Sequence, residues 1–414
     1  MRICIHRGAR EIGGTCIELE SQGKRLVLDV GLPLNAPDVD QFPLHPVSGF
    51  SAPDDSLLGV VISHPHQDHY GLARRLPRQT HFLIGRGAEA ILSAASLFSP
   101  SGLSLETVSH LQDRTPIALG PFTITPFLID HSAYDSYAIL VEADGKRLFY
   151  TADFRGHGRK AHLFEALVAS PPANVDVLLM EGTCLGRSGD GDSCKTEDDL
   201  VAEFADIFCR TKGMPLVWCS GQNIDRIVTL LKACNQAGRQ LILDVYTAEI
   251  LRATGNPRLP QGTWRGVRIL LPARQKLQIV RNKAFESVRR YYRNRIYPNR
   301  LAAAAPHSVL LFRPSMMVDL EKAGCLDGAS LVCSVWPGYL SAPANQRLRD
   351  WIGQRGISLY HCHTSGHATT ADLQRMRNAF PNAVAVPVHL EDPEQFARTF
   401  DNVELHEDGK WWEV

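Results

Sequence analysis

The chain has 414 residues, 44% of them hydrophobic, and its 44 basic residues balance its 44 acidic residues. This length is sufficient for a large buried core and predicts two or three domains. The zero net charge excludes a generally basic, polyanion-binding protein, so any nucleic-acid surface has to be local. Charged residues interrupt the apolar residues of MRICIHRGAREIGG, and no apolar run is long enough to span a bilayer. We therefore expect neither a signal peptide nor a membrane segment.

The number and spacing of the cysteines indicate the cellular compartment of the protein. The ten cysteines are scattered along the chain without a CxxC pair or a regular spacing. In a chain this long and without an export signal, such scattering favours reduced thiols over a disulfide framework. We therefore expect a cytoplasmic protein.

The first half of the chain is predicted to contain short β-strands that end in polar residues. The segments RICIHRG, TCIELES and KRLVLDVG are alternating or apolar and are closed by glycine or polar residues, which predicts an opening β-meander. The apolar run LLGVVISH ends in a histidine cluster, and HYGLARRL after it has helical spacing. Later apolar runs end at His131, Asp153 and Glu181. Because functional sites are often built from loops at strand ends, we expect these residues to converge on one edge.

A second domain is predicted from a change of pattern near residue 190. Helical and strand patterns then alternate, which indicates an α/β domain with a parallel sheet. The Gly-, Asp- and Ser-rich stretch GRSGDGDSCKTEDD before it is interpreted as a linker. After this domain, GISLYHCHTSGHA and NAVAVPVHLED again show a strand pattern followed by histidine, as in the first part of the chain. We predict a first domain over residues 1–190, an inserted domain over 191–355 and a returning segment of the first domain over 356–414.

Histidine and aspartate residues give the strongest chemical signal. Imidazole and carboxylate ligands without thiolates suit a catalytic zinc site with open positions. Alternate residues of HPHQDH cannot all face one way on a strand, so this segment is predicted to be a loop that serves two adjacent ions. The alternative is a set of unrelated side chains, which the clustering argues against. The candidate ligands are His64, His66, Asp68, His69, His131, Asp153 and His389.

These motifs resemble the metallo-β-lactamase superfamily, whose signature His-x-His-x-Asp-His matches residues 64–69. Asp29 in LVLDVG, His131 in DHSAYDSY and Asp153 in TADFR match the remaining motifs of the family in order. The resemblance implies an α/β protein with an αββα sandwich and two zinc ions. Asp29 would orient the ligands. In this assignment His64, His66 and His131 hold one ion, Asp68, His69 and His389 hold the other, and Asp153 bridges them.

The second half resembles the β-CASP branch of this superfamily, whose members are largely nucleases, and within it the ribonuclease J type. The α/β domain corresponds to the β-CASP insertion. The resemblance implies that Glu181 and His367 of HTSGHA are catalytic, and that His363 and Ser365 contact phosphate. From the end of the sequence at KWWEV we expect no counterpart of the extra C-terminal domain of that group, so homodimerisation is left open. Leu390 and Ala152 replace glycines that are usual in ribonuclease J, which affects the shape of the loops but removes no ligand.

The resemblance also implies a mechanism. The metal pair, with Asp68 among its ligands, would activate water for attack on phosphorus. His367 would donate a proton to the departing oxygen, oriented by Glu181. Two alternatives stay open, namely that His367 is an eighth ligand or a structural histidine, and that Glu181 is only a strand-end acid. Manganese in place of zinc is also left open.

Two further features bear on substrate binding. Ser220 lies in a turn between a strand and a helix, where backbone amides can bind phosphate, although an ordinary capped turn explains it as well. The segment 274–300 contains nine basic residues and one acidic residue. Such a segment suits a surface that contacts phosphates and stacks bases, with a solvated helix face as the equal alternative. The residues predicted for this surface are Arg289, Arg290, Tyr291, Tyr292 and Arg293.

The sequence therefore predicts a zinc-dependent nuclease that hydrolyses nucleic acid, with single-stranded RNA as the expected substrate. Endonucleolytic and 5′-exonucleolytic cutting are both open. The alternatives are a DNA nuclease of the same branch, a small-molecule metallo-hydrolase and a binding protein with a degenerate site. The insertion and the HTSGHA motif argue against the small-molecule enzyme, and the complete ligand set argues against the degenerate site.

Overall fold

A computed structural model describes residues 1–36, 39–99, 102–186 and 194–414. The chain divides into two compact units. Unit 1 comprises Met1–Ser93, Leu103–Cys194 and Gly366–Val414, and unit 2 comprises Ala94–Gly102 and Lys195–Ser365. The predicted boundary between residues 190 and 191 and part of the predicted linker lie outside the described residues.

The strands follow one another as β1 (Arg2–Arg7), β2 (Cys16–Ser21), β3 (Lys24–Leu28), β4 (Leu57–Ile62), β5 (His81–Gly85), β6 (Thr107–Leu111), β7 (Ile117–Leu119), β8 (Phe122–Leu128), β9 (Tyr137–Ala143), β10 (Lys146–Tyr150), β11 (Val177–Glu181), β12 (Pro215–Trp218), β13 (Gln240–Asp244), β14 (Val267–Leu270), β15 (Arg295–Ile296), β16 (Ser308–Phe312), β17 (Ser330–Cys333), β18 (Ser358–His361), β19 (Val384–Val388) and β20 (Trp411–Glu413).

The α-helices are α1 (Gln67–Tyr70), α2 (Arg86–Ser96), α3 (Ala161–Ala169), α4 (Glu197–Arg210), α5 (Ile224–Gln236), α6 (Val245–Ala253), α7 (Ala273–Arg281), α8 (Glu286–Arg289), α9 (Leu301–Ala304), α10 (Met317–Ala323), α11 (Pro337–Ser341), α12 (Gln346–Gln354), α13 (Thr370–Ala379) and α14 (Pro393–Thr399). In the part of the chain that the structure describes, none of these helices is both long and apolar enough to cross a membrane.

Unit 1 is built on two sheets whose strand orders are β20-β1-β2-β3-β4-β5-β6 and β19-β11-β10-β9-β8-β7. Their inner faces share one hydrophobic core, in which Ile5, Leu28, Ile139 and Leu179 are buried. Full burial of each such side chain contributes about 1.5–3 kcal/mol to the stability of the fold. The two inner faces thus form the centre of a sandwich.

Helices cover the outer faces of both sheets. Leu92 of α2 packs in a cluster with Phe82 of the first sheet. On the second sheet, Phe149 shares a cluster with Phe164 of α3 and Met376 of α13. Because the apolar side of each helix faces a sheet, unit 1 has the layer order helix, sheet, sheet, helix. This confirms the predicted α/β class and its αββα sandwich.

Unit 2 is built on one parallel sheet with the strand order β15-β14-β13-β16-β12-β17-β18. Its connecting helices carry clear sequence signals. In α5, buried Ile224, Ile227 and Leu231 follow helical spacing, and the Asn223 side chain accepts a hydrogen bond from the amide of Arg226. Ser358–His361 pairs with Ser330–Cys333, so this strand belongs to unit 2 although residue 356 was the predicted return point.

Candidate metal centre

The strand ends of unit 1 bring polar residues to one edge. Asp29 follows β3, His64 follows β4 after one residue, Glu181 ends β11 and His389 follows β19. The predicted loop of the HPHQDH motif is a short loop that leads into α1, and α1 carries Asp68 and His69. The expected convergence on one edge is therefore what the structure displays.

The seven candidate ligands form two overlapping groups, and within each group the ligand atoms all lie within 4.8 Å of one another. Asp153 is common to both groups. Its Oδ2 atom lies 3.6 Å from Nε2 of His64 and 3.2 Å from Nε2 of His69. Nε2 of His389 lies 3.2 Å from Oδ2 of Asp68. The first group contains His64, His66, His131 and Asp153, and the second contains Asp68, His69, Asp153 and His389.

These residues fit metal binding because their buried polar atoms are not satisfied within the protein. Both carboxylate oxygens of Asp153 and the Nε2 atoms of His64 and His69 make no hydrogen bond in the described part of the chain. A buried polar atom without a partner is costly. Burial also lowers the pKa of His64 and of His131 well below the usual value, which keeps these rings neutral with a lone pair available. The donor set suits zinc.

Asp29 lies behind His69 and contacts its ring. Its Oδ2 atom lies 2.8 Å from Nδ1 of His69, which turns Nε2 of that ring toward the ligand group. Asp29 also accepts hydrogen bonds from the Ser63 amide at 2.7 Å and from the Tyr150 hydroxyl at 2.8 Å. His389 has a comparable partner, because its Nδ1 atom lies 3.0 Å from the Thr183 hydroxyl. Sequence reasoning did not identify Ser63, Tyr150 or Thr183.

His367 and Glu181 lie beside the shared aspartate. Nδ1 of His367 is 3.0 Å from Oε2 of Glu181 and 3.7 Å from Oδ2 of Asp153. Burial by itself lowers the pKa of His367, but the carboxylates of Glu181 and Asp153 outweigh this effect and raise it to about 9. Oε1 of Glu181 accepts the Phe154 amide at 2.8 Å, which fixes the carboxylate. A third group of ligand atoms, from Asp153, Glu181, His367 and His389, also lies within 4.8 Å, so an eighth ligand stays open.

Two loops that carry ligands are joined behind the centre by a buried ion pair. Nε of Arg155 lies 3.6 Å from Oδ1 of Asp130, and both side chains are fully buried. Nζ of Lys160 donates to the backbone carbonyls of His131 and Ala133 at 3.0 and 3.1 Å. Sequence reasoning missed these residues. The signal that could have identified them is the basic stretch FRGHGRK directly after Asp153.

The two glycine replacements are both accommodated. Ala152 has φ 47°, a left-handed conformation that costs an alanine about 1 kcal/mol. Leu390 is buried in the cluster that covers the second sheet. Its side chain lies against Gly182, where an added Cβ atom would come within 2.9 Å of it. The replacements therefore affect the shape and packing of the loops and leave the ligands in place.

The residues predicted to contact substrate belong to unit 2. Ser220 is exposed between β12 and α5, and His363 and Ser365 follow β18. Their role in phosphate binding stays a prediction. In the basic segment 274–300, Arg289 and Arg293 are exposed, and Arg289 lies 3.4 Å from Glu286.

One residue of the predicted surface is buried. The prediction that Tyr291 stacks on bases is wrong, because only 3% of this residue is exposed. Its hydroxyl donates to Oε1 of Glu249 at 2.6 Å, and the same carboxylate oxygen lies 3.3 Å from Nε of Arg290. Tyr292 is 64% exposed and is contacted by Arg293, whose guanidinium lies 5.5 Å from the centre of the ring. Of these two tyrosines, only Tyr292 is therefore accessible for stacking on bases.

Comparison with known proteins finds similarity to one family model and to several named relatives. Residues 24–194 match the model of the β-lactamase superfamily domain. Ribonuclease J of Helicobacter pylori strain B128 is 22% identical over 406 residues, which cover 93% of this chain and 55% of that protein. The chain thus spans about half the length of this relative. Cleavage and polyadenylation specificity factor subunit 3 of Dictyostelium discoideum is 26% identical over 194 residues, 42% of this chain and 24% of that protein.

A solved structure extends the likeness to the whole fold. The crystal structure of a protein of unknown function from Enterococcus faecalis V583 superposes with a TM-score of 0.75 and 18% sequence identity. The superposition covers 99% of each chain. At this identity the comparison establishes the fold alone.

Proposed function

We propose that the chain is a metal-dependent nuclease of the metallo-β-lactamase superfamily, in the β-CASP branch that includes ribonuclease J. The match of residues 24–194 to the β-lactamase superfamily domain and the similarity to ribonuclease J over 93% of the chain support this proposal. The observation that carries this proposal is the pair of ligand groups that share Asp153. Two neighbouring groups of unsatisfied ligand atoms suit a dinuclear centre better than a single structural ion. The reaction is hydrolysis of a phosphodiester bond.

The residues divide between two zinc ions, with manganese as the alternative. His64, His66 and His131 would hold one ion, Asp68, His69 and His389 would hold the other, and Asp153 belongs to both groups. When bound, such ions supply water activation and stabilise the negative charge that develops on the phosphate. Asp29 and Thr183 keep His69 and His389 in position from behind, at 2.8 and 3.0 Å.

His367 is the proton donor in this proposal. The leaving oxygen of a phosphodiester needs a proton, and an imidazole placed by a carboxylate is suited to supply it. Glu181 lies at hydrogen-bond distance from Nδ1 of His367 and so orients the ring. The fixed position of Glu181, which accepts the Phe154 amide, supports a positioning role for this residue.

RNA is the proposed substrate because relatives that match 93% and 58% of this chain are named Ribonuclease J. The exposed basic segment supports binding of a single strand, with Arg289, Arg290, Arg293 and Tyr292 as its contacts. His363, Ser365 and Ser220 are proposed to contact phosphates. All ten cysteines are free thiols, which supports a reducing compartment, and we propose the cytoplasm.

Cleavage assays with end-labelled polymers test the function. Metal-replete protein is incubated with 5′-monophosphorylated RNA, 5′-triphosphorylated RNA and DNA of the same sequence, each with Asp68→Ala as the control. We expect RNA to be cut and the Asp68→Ala protein to be inactive. The product lengths separate endonucleolytic from 5′-exonucleolytic cutting. Cleavage of DNA alone would replace RNA as the substrate, and inactivity on both polymers with two ions bound would contradict the proposal.

A further inference from the structure

Helix α7 of unit 2 has a buried inner face and an exposed apolar outer face. Gln275 and Ile279 are buried on the inner face. The outer face carries Ala273, Leu277 and Val280, which follow one another at spacings of four and three residues and therefore lie on one side of the helix. Leu277 is 71% exposed and Val280 is 53% exposed. These three residues are called the outer stripe below.

The helix that carries the outer stripe is firmly attached to unit 2. On its inner face, Nε2 of Gln275 donates to the buried carboxylate of Asp244 at 2.7 Å. At its start, the Ala273 amide donates to Oδ2 of Asp319 at 3.0 Å. The exposure of the outer stripe is therefore a property of a fixed helix and not of a fraying one. A surface that is already ordered loses little conformational entropy when a partner binds to it.

Basic side chains border the outer stripe on both sides. At about 3.6 residues per turn, Lys276 lies along one edge of the stripe, and Arg274 and Arg281 lie along the other. All three residues are exposed. Within the described part of the chain, neither ion pair of the basic segment involves any of these three residues. Their charges are therefore left for a partner that carries acidic groups.

The combination of an aliphatic stripe and basic borders identifies the kind of partner. Nucleic acid would engage the cations, but its bases stack on aromatic rings, which Leu277 and Val280 do not offer. A second copy of this chain, packed stripe against stripe, would bring the basic borders together, and like charges at an interface repel. A helix with an apolar stripe between rows of acidic residues matches both features, as the flanking charges of paired helices do.

We infer that the outer face of α7 is a docking surface for an acidic amphipathic helix of a partner protein. Leu277 and Val280 are its apolar contacts, in the spacing that docking helices use for their anchors. Lys276, Arg274 and Arg281 pair with the acidic residues at the borders. A contact of this size is typical of a weak, reversible complex. The surface contains no ligand of the metal centre, so its test does not depend on the proposed nuclease function.

Fluorescence anisotropy with the full-length protein and two labelled helical peptides tests the surface. One peptide carries a leucine stripe flanked by glutamates, and the other carries the same stripe flanked by lysines. We expect the wild type to bind the glutamate peptide and not the lysine peptide. The double variant Leu277→Gln, Val280→Gln should bind the glutamate peptide about tenfold more weakly, because it loses two apolar contacts. Leu405→Gln is the matched control, since Leu405 is 38% exposed in unit 1.

Reversal of the border charges tests the electrostatic part of the inference. The double variant Lys276→Glu, Arg281→Glu should bind the lysine peptide more tightly than the glutamate peptide, because attraction and repulsion are exchanged. Thermal unfolding establishes that each variant is folded. Since all substituted side chains are exposed, we expect the unfolding temperature to stay nearly unchanged.

Two results overturn the inference. One is equal affinity of the wild type and the Leu277→Gln, Val280→Gln protein for the glutamate peptide, and the other is a wild type that binds neither peptide. In the second case, loss of single-strand affinity in the same double variant assigns the outer stripe to nucleic acid. Loss of flotation with phosphatidylglycerol vesicles assigns it to a membrane surface, and loss of a dimer in sedimentation assigns it to a second copy of the chain.

Discussion

The guanidinium of Arg155 lies 3.6 Å from the carboxylate of Asp130, and both side chains are completely buried. Asp130 directly precedes His131, and Arg155 follows Asp153 after one residue, so the pair joins the two loops that present these ligands. Gly158 is needed beside them, since a Cβ atom there would lie 2.3 Å from Nε of Arg155. This buried ion pair is thus one of the contacts that join the two loops carrying candidate ligands, together with the hydrogen bonds of Lys160 and Gly158.

Replacement of Arg155 by Met should destabilise the protein by about 3–5 kcal/mol, because it leaves the buried Asp130 carboxylate without its cation. Urea unfolding followed by circular dichroism measures the loss. Replacing Asp130 by Asn together with Arg155 by Met should recover part of it. Equal stability of Arg155→Met and the wild type would show that the pair contributes nothing to the fold.

Metal analysis of the purified, metal-replete protein should find close to two transition-metal ions per chain. His131→Ala should bind about one ion, because the second ligand group does not contain His131. His307→Ala serves as the control, since this histidine is exposed in unit 2. Inductively coupled plasma mass spectrometry provides the counts. One ion or fewer in the wild type would contradict the dinuclear centre.

Removal of the proposed proton donor separates its role from that of a ligand. His367→Ala should lose about 10²–10⁴-fold in cleavage rate while both ions are retained. Glu181→Gln should show a smaller loss, because the ring stays in place but is held by a weaker acceptor. Single-turnover kinetics and metal analysis are measured on the same samples. Loss of an ion from His367→Ala would instead identify His367 as an eighth ligand.

The basic segment predicts a salt-dependent interaction with single strands. Each cation that contacts a phosphate contributes a log–log slope of about 0.7 to the loss of affinity with salt. Replacing Arg289, Arg290 and Arg293 together by Gln should therefore flatten the slope and weaken binding. Fluorescence anisotropy with a labelled oligonucleotide measures both quantities. An unchanged slope would mean that the segment is an ordinary solvated surface.

Two adjacent tyrosines, one exposed and one buried, provide a test of base stacking and its control. Tyr292→Ala should weaken single-strand binding by about 1–3 kcal/mol without a change in the salt slope, because it removes an exposed ring but no charge. Tyr291→Phe should leave binding unchanged and cost about 1 kcal/mol of stability, since it removes the hydrogen bond to Glu249. Weaker binding in Tyr291→Phe and not in Tyr292→Ala would reverse these roles.

Features of the fold and of the candidate site could be predicted from the sequence where they depend on residues close together in the chain. The strands and the HPHQDH cluster are local patterns, so the α/β class and a convergence of ligands at strand ends could be anticipated. The partners behind the ligands could not, because Tyr150 reaches Asp29 across 121 positions and Thr183 reaches His389 across 206. Periodicity has no information about such pairs.

The misassigned positions have similar causes. Tyr291 and Tyr292 are adjacent residues of the same type in the same basic segment. Only the tertiary contact of Tyr291 with Glu249 distinguishes the buried tyrosine from the exposed one. Ser358–His361 reads as a strand of either domain, and its pairing with β17 assigns it to unit 2. The segment Ala94–Gly102 belongs to unit 2 although it continues a helix whose beginning lies in unit 1, and no composition change marks that transition.

The division of unit 1 between distant parts of the chain has a consequence for synthesis. His64 and Asp153 leave the ribosome early, whereas His367 and His389 belong to the segment Gly366–Val414 and emerge after all of unit 2. Strand β11 can pair with its parallel partner β19 only after β19 has been synthesised, and β19 lies about 200 positions later in the chain. A nascent chain therefore lacks part of the candidate ligand set for most of its translation. The proposed nuclease would gain activity only once nearly all of this sequence has been translated.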